Sequence, residues 1–228
     1  MEEENFGQIK IARLQQKEKN ETLLNAAGLC GMILLSDDDV AMFLTPSERG
    51  NPMKKILIVV DMQKDFVDGA LGSAEAVAIV DNVVAKIEGF DGDIIVTYDT
   101  HAEDYMTTQE GKNLPVPHCI KGTDGWLLDA KVQAALDKKS YVTIEKPTFG
   151  STALPEYIRA HYDPADVAVE LVGLCTDICV VSNALLLKAN FLETPIRVDA
   201  ACCAGVTVDS HNAALATMRM CQVQVIEG

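Results

Sequence analysis

Positive charge is scarce in this chain. Nineteen lysines and arginines stand against 34 aspartates and glutamates, for a formal net charge of −15 over 228 residues. A nucleic-acid partner needs a basic face to neutralise phosphates, so that class of function is excluded. A membrane span is missing too: the apolar stretch Ala26–Leu35 falls well short of the roughly 20 residues that cross a bilayer. The opening Met1-Glu2-Glu3-Glu4 has the wrong charge for a secretory signal. Cysteine is present without a disulfide framework. The seven cysteines are an odd number, they lie in apolar or strand-like segments, and none forms a zinc-finger spacing with a second Cys or His pair. Free thiols in a soluble, cytoplasmic protein are therefore expected. There is no internal repeat or low-complexity tract, and Trp126 is the only tryptophan.

Apolar residues make up 48 % of the chain, enough for a sizeable core. Two parts differ in character. Residues 1–52 begin polar and charged and close on Glu48-Arg49-Gly50-Asn51-Pro52, a cluster of turn formers that marks a boundary. They are expected to be an N-terminal extension without catalytic residues. From residue 53 to 228, short apolar runs alternate with helical spacing. The strand candidates are Ile56–Val60, Asp93–Tyr98, Tyr141–Glu145, Val167–Gly173, Ile196–Asp199 and Val223–Ile226. The helical candidates are Ala74–Glu88, Leu127–Lys138, Thr152–His161, Cys179–Ala189 and Ser210–Met220. Val- and Ile-rich strands without polar alternation are buried on both faces. The expected fold is α/β, a doubly wound parallel sheet of about six strands with helices on both faces.

In such a sheet, ligands sit beyond the carboxyl ends of the strands. Asp61 follows the first strand, Asp99 and His101 the second, Lys146 the third, and the loop Leu174–Cys179 the fourth. A thiol attacks as its anion, which a helix start or a positive neighbour favours. Cys179 heads an apolar helical run. Asp61 could accept the thiol proton and return it to a leaving amine, with Lys146 holding that carboxylate. Alone, such a cysteine is more often a small buried apolar residue, and such a lysine more often a surface one. Their convergence at one sheet edge favours Cys179 as a nucleophile. Asp99-Thr100-His101 and the later Pro117-His118-Cys119 add two imidazoles and a carboxylate, a three-ligand set of the kind that catalytic metals use. His161 and His211 fall within helical patterns and read as structural, as do Cys30, Cys119, Cys202, Cys203 and Cys221.

The segments Val60-Asp61-Met62-Gln63-Lys64-Asp65-Phe66, Glu145-Lys146-Pro147 and Gly173-Leu174-Cys175-Thr176-Asp177-Ile178-Cys179-Val180 resemble the three signature segments of the isochorismatase-like cysteine hydrolases. The resemblance covers essentially all of residues 53–228. It implies a catalytic triad of Asp61, Lys146 and Cys179. It also implies an oxyanion hole from the backbone N–H groups of Cys175 and Cys179, with a cis peptide between Leu174 and Cys175. Within that superfamily the chain looks like the nicotinamidase branch, whose divalent metal is bound by residues matching Asp99, His101 and His118. Glu110 is the plausible counterpart of a further ligand seen in some members. Zinc is the first expectation, with iron and manganese as alternatives. Phe66 would stack on the substrate ring. The implied reaction takes the small amide nicotinamide to nicotinic acid and ammonia; an amidase for a different small amide is the alternative. One departure stands out: many nicotinamidases carry a tryptophan shortly before the metal-binding histidine, and this chain has Leu114-Pro115-Val116-Pro117. The sequence leaves a homo-oligomer open.

Overall fold

The computed structural model describes residues 53–227; the expected extension, residues 1–52, and Cys30 within it lie outside the described residues. Strand β1 (Lys54–Val60) is followed by a short helix α1 (Lys64–Val67) and by α2 (Ala74–Gly89). Then come β2 (Asp93–Asp99), α3 (Gln109–Asn113), α4 (Ala130–Leu136) and β3 (Tyr141–Lys146). The second half holds α5 (Ala153–His161), β4 (Val167–Leu174), a π-turn over Thr176–Val180, α6 (Val181–Asn190), β5 (Ile196–Ala204), α7 (Val208–Met220) and β6 (Gln224–Ile226).

All strand pairs are parallel, and the sheet order is β3-β2-β1-β4-β5-β6. The alternation of a strand sends Ile56, Ile58 and Val60 into a core with Leu154, Ile158, Leu187 and Met218, from α5, α6 and α7. It sends Leu57 and Val59 to the other face, against Ile79, Val83 and Val132 of α2 and α4. A fully apolar strand is thus buried on both sides, and the expected helix–sheet–helix layering is present. The chain winds outward to β3, returns to the far side of β1 for β4, and then winds outward the other way. The crevice between β1 and β4 is the switch point where such sheets bind ligands.

Several boundaries differ from the sequence reading, each for a local reason. Helix α4 is shorter than Leu127–Lys138 because Asp129 caps it, accepting from the N–H groups of Lys131 and Val132 at 2.9 and 3.2 Å. Strand β5 runs well past Asp199. Its pairing with β4 jumps from Leu171–Val198 to Gly173–Cys203, a bulge that lets the strand resume after polar Asp199. Asp99 and Lys146 are the last residues of their strands rather than the first beyond them. Cys179 lies in the π-turn ahead of α6 rather than at the head of an α-helix. The charged Glu170 in mid-β4 is buried but paired, with Lys86 at 2.7 Å and Arg197 at 2.6 Å. No helix among the described residues is long and apolar enough to cross a membrane.

Candidate active site and metal centre

Three elements bring Asp61, Lys146 and Cys179 together. Asp61 leaves the end of β1 with φ at 47°, a left-handed conformation that turns its side chain back over the sheet. Thr97 on β2 donates its hydroxyl to Asp61 Oδ1 at 2.6 Å. Lys146 reaches from β3 to put Nζ 2.7 Å from Asp61 Oδ2 and 3.5 Å from Cys179 Sγ. All three side chains are buried. The Nζ–Oδ2 contact is short but out of line for a hydrogen bond, which leaves an Oδ2 lone pair for a second donor.

Protonation follows from this burial. Desolvation, then the Asp61 charge, push the Cys179 thiol well above its ordinary pKa against the pull of Lys146, so the resting sulfur keeps its proton. Burial likewise raises Asp61 above the ordinary carboxylate value, with Lys146 opposing. Burial works against the Lys146 ammonium, yet the carboxylates of Asp61 and Asp99 help to hold its pKa above that of a free lysine. The Leu174–Cys175 peptide is cis. The Cys175 carbonyl accepts from the N–H groups of Ile178 (3.1 Å) and Val180 (3.0 Å), closing the turn that carries Cys179.

Beside this trio, Asp99, His101, Glu110 and His118 place one ligand atom each within 4.8 Å of one another. His118 Nδ1 lies 2.8 Å from the Val116 carbonyl, which puts the ring proton there and leaves the Nε2 lone pair facing the cluster. Buried His101 Nε2 has no aligned hydrogen-bond partner, although Asp99 Oδ2 is 2.9 Å away. An orphaned imidazole nitrogen and a second one held in the ligating tautomer, with two carboxylates between, fit a divalent cation and suit zinc, iron(II) or manganese. Glu110 Oε1, 3.6 and 3.7 Å from the two imidazoles, belongs to the same group. Asp99 faces both ways, with Oδ2 toward the histidines and Oδ1 accepting from Lys146 at 3.1 Å. The candidate metal centre and the candidate triad are thereby joined through one carboxylate.

Both groups border a cavity of about 400 Å³ lined by Phe66, Leu114, His118, Cys175 and Cys179. The Phe66 ring sits 5.4 Å from that of His118. Leu114, in the segment that departs from the expected tryptophan, forms part of the wall. Trp126 does not line the cavity: it packs on Tyr98 and donates to Thr100 Oγ1 at 2.9 Å.

Sequence reasoning missed four supporting residues. Gln63 grips both backbone groups of Asp99, accepting its N–H at 2.7 Å and donating to its carbonyl at 2.9 Å. Thr97 orients Asp61. Tyr105 packs edge-on against His101 and His118 and anchors Leu114 through its hydroxyl. Asn183 donates to the Cys179 carbonyl at 2.8 Å. A polar residue inside an apolar strand or helical run, as at Thr97 and Asn183, is a signal that could have been followed. Tyr105, a loop aromatic, offered none.

Residues 55–228 match the isochorismatase domain family. The nicotinamidase/pyrazinamidase of Mycobacterium tuberculosis is 29% identical over 189 residues, covering 75% of this chain and 98% of that relative. Among solved structures, a nicotinamidase/pyrazinamidase from Bacillus subtilis superposes with a TM-score of 0.68 at 28% identity, covering 77% of this chain and 100% of that one. A pyrazinamidase of Pyrococcus horikoshii in complex with zinc superposes with a TM-score of 0.63 at 25% identity, covering 77% of this chain and 99% of that one.

Proposed function

This chain belongs to the isochorismatase family of hydrolases, and from that premise we propose that it is a metal-assisted cysteine amidohydrolase converting nicotinamide to nicotinic acid and ammonia. One observation carries the reading: Lys146 contacts Asp61, Cys179 and Asp99 at once, so the candidate nucleophile and a candidate metal ligand, both lining one cavity, are linked to the candidate base behind them. The nicotinamidases and pyrazinamidases among its relatives support the substrate class.

In the proposed reaction, Asp61 takes the thiol proton as Cys179 Sγ attacks the amide carbon. The N–H groups of Cys175 and Cys179 receive the developing oxyanion. Asp61 returns the proton to the amine, ammonia leaves, and a thioester remains. Asp61 then deprotonates a water that hydrolyses the thioester to the carboxylic acid and regenerates the thiol. Lys146 stays charged throughout, facing the Asp61 carboxylate before the proton moves and the Cys179 sulfur as it attacks. Asp99, His101, Glu110 and His118 would hold a divalent ion, which when bound supplies an open position for the pyridine nitrogen and so orients the ring. Phe66 flanks that ring. The free thiols among the described residues support a reducing compartment such as the cytoplasm. The hydrolase domain is taken as residues 53–228, with residues 1–52 as an extension.

The test is ammonia release from nicotinamide by the purified chain, as isolated and after chelation and reloading with zinc, iron(II) or manganese. Metal-dependent release that disappears in Cys179→Ala is expected. No release with any of the three metals would sink the nicotinamide assignment.

A further inference from the structure

The cavity over Cys179 does not close around a single ring. It shares a wall with an outer groove of about 830 Å³, and Glu110, Leu114, Phe149 and Ile178 border both. Two of these are exposed apolar side chains, Leu114 at 37% and Phe149 at 44%. They stand at the boundary of the two spaces, and each is held by its backbone. Tyr105 donates its hydroxyl to the Leu114 carbonyl at 2.9 Å. Buried Asn183 donates to the Phe149 carbonyl at 3.2 Å and to the Cys179 carbonyl at 2.8 Å, and accepts the Ser151 N–H at 2.8 Å. The Phe149 side of that boundary is therefore tied to the turn that carries Cys179.

In the outer groove the lining changes character. Gln109, Asn113, Thr148 and Ser182 offer amides and hydroxyls, and Asp177 offers a carboxylate, while His101 and Glu110 at one border belong to the metal cluster; no lysine or arginine lines the groove. Neutral hydrogen-bonding groups and cations find partners there, whereas an anionic arm would be desolvated beside Asp177 with no lysine or arginine to pair with it.

We propose that this groove is a substituent subsite. The enzyme takes heteroaromatic carboxamides whose ring carries a neutral or cationic polar arm that passes between Leu114 and Phe149, and it rejects anionic arms. The proposal rests on the amidase reading above and extends its substrate class.

The test uses the full chain loaded with its activating divalent ion and three nicotinamides bearing an aminomethyl, hydroxymethyl or carboxylate group at ring carbon 5. The first two should keep kcat/KM within about fivefold of nicotinamide, and the carboxylate should fall at least about tenfold below them. Asn113→Lys should raise the carboxylate-to-aminomethyl ratio of kcat/KM by about tenfold or more. Turnover of nicotinamide with failure of all three analogues overturns the subsite, as does a ratio that Asn113→Lys leaves unchanged. If nicotinamide itself is not hydrolysed, the amidase reading fails separately, and calorimetry of the three amides with Cys179→Ala protein decides the groove. Tighter binding of the aminomethyl than of the carboxylate amide upholds it; equal or absent binding of the two overturns it.

Discussion

Lys146 sets its ammonium 2.7 Å from Asp61 Oδ2, 3.1 Å from Asp99 Oδ1 and 3.5 Å from Cys179 Sγ, with almost no solvent contact. Removing one partner of a buried charge cluster leaves the others uncompensated. Lys146→Ala should therefore lose roughly 3–5 kcal/mol of stability by urea denaturation, along with turnover. A loss below about 1 kcal/mol would mean that the pair is solvated. Asp61, as the proposed base, acts only when ionised. Asp61→Asn should cut kcat/KM by about 10²–10⁴-fold. Because burial raises the Asp61 pKa, the wild-type profile should lose kcat/KM as pH falls, with its acid midpoint above the ordinary carboxylate range. An acid limb at the value of a free aspartate would contradict that environment. The candidate residues themselves were legible, because Asp61, Lys146 and Cys179 each stand at a strand end or turn with chemistry a bland surface does not need. Their supports were not: Gln63 acts on Asp99, 36 residues away, and Tyr105 acts through a loop whose path no periodicity records.

Strand β4 ends in a tight approach to β1. Gly173 has φ at 114°, and a methyl group there would run into the Val60 carbonyl. Gly173→Ala is strained by its backbone alone, at a cost of roughly 1–3 kcal/mol, and the collision adds to that. It should lower the melting temperature and displace the turn bearing Cys175 and Cys179, read as altered alkylation of Cys179. An unchanged melting temperature would show that the β1–β4 contact yields easily. At this scale the strands were readable from their Val and Ile runs. The β5 extension was not, because a bulge is a matter of pairing with β4, and the polar Asp199 resembles a strand end. Nor was the π-turn at Thr176–Val180, whose i→i+5 bond from Val180 N–H to the Cys175 carbonyl leaves no sequence period.

The described residues, 53–227, are organised around the gap between β1 and β4, where the strand order reverses. An ion bound only by the folded cluster stabilises the fold by mass action. Zinc, iron(II) or manganese at 100 times its dissociation constant should raise stability by about 2.7 kcal/mol, read as a higher melting temperature. Asp99→Ala should remove most of that shift; a shift retained in full would place the ion elsewhere. Every candidate site residue falls within the family match, residues 55–228. A chain beginning at Met53 should therefore keep ammonia release, and loss of turnover on truncation would give residues 1–52 a part in the active protein.

The sequence by itself determined the class of fold, through apolar runs that only a two-sided burial can satisfy, and it singled out the candidate reactive groups, through residue types that gather at strand ends. Tertiary structure decided how those groups divide their bonds. That Asp99 serves Lys146 with one oxygen and the histidines with the other depends on β2 and β3 meeting in register and on the loops beyond β2 that carry His101 and His118. Strand order, the shared Leu114–Phe149 border of the two cavities and the placement of Trp126 outside the inner one are likewise products of long-range packing. Local periodicity carries no record of which distant segment completes a contact.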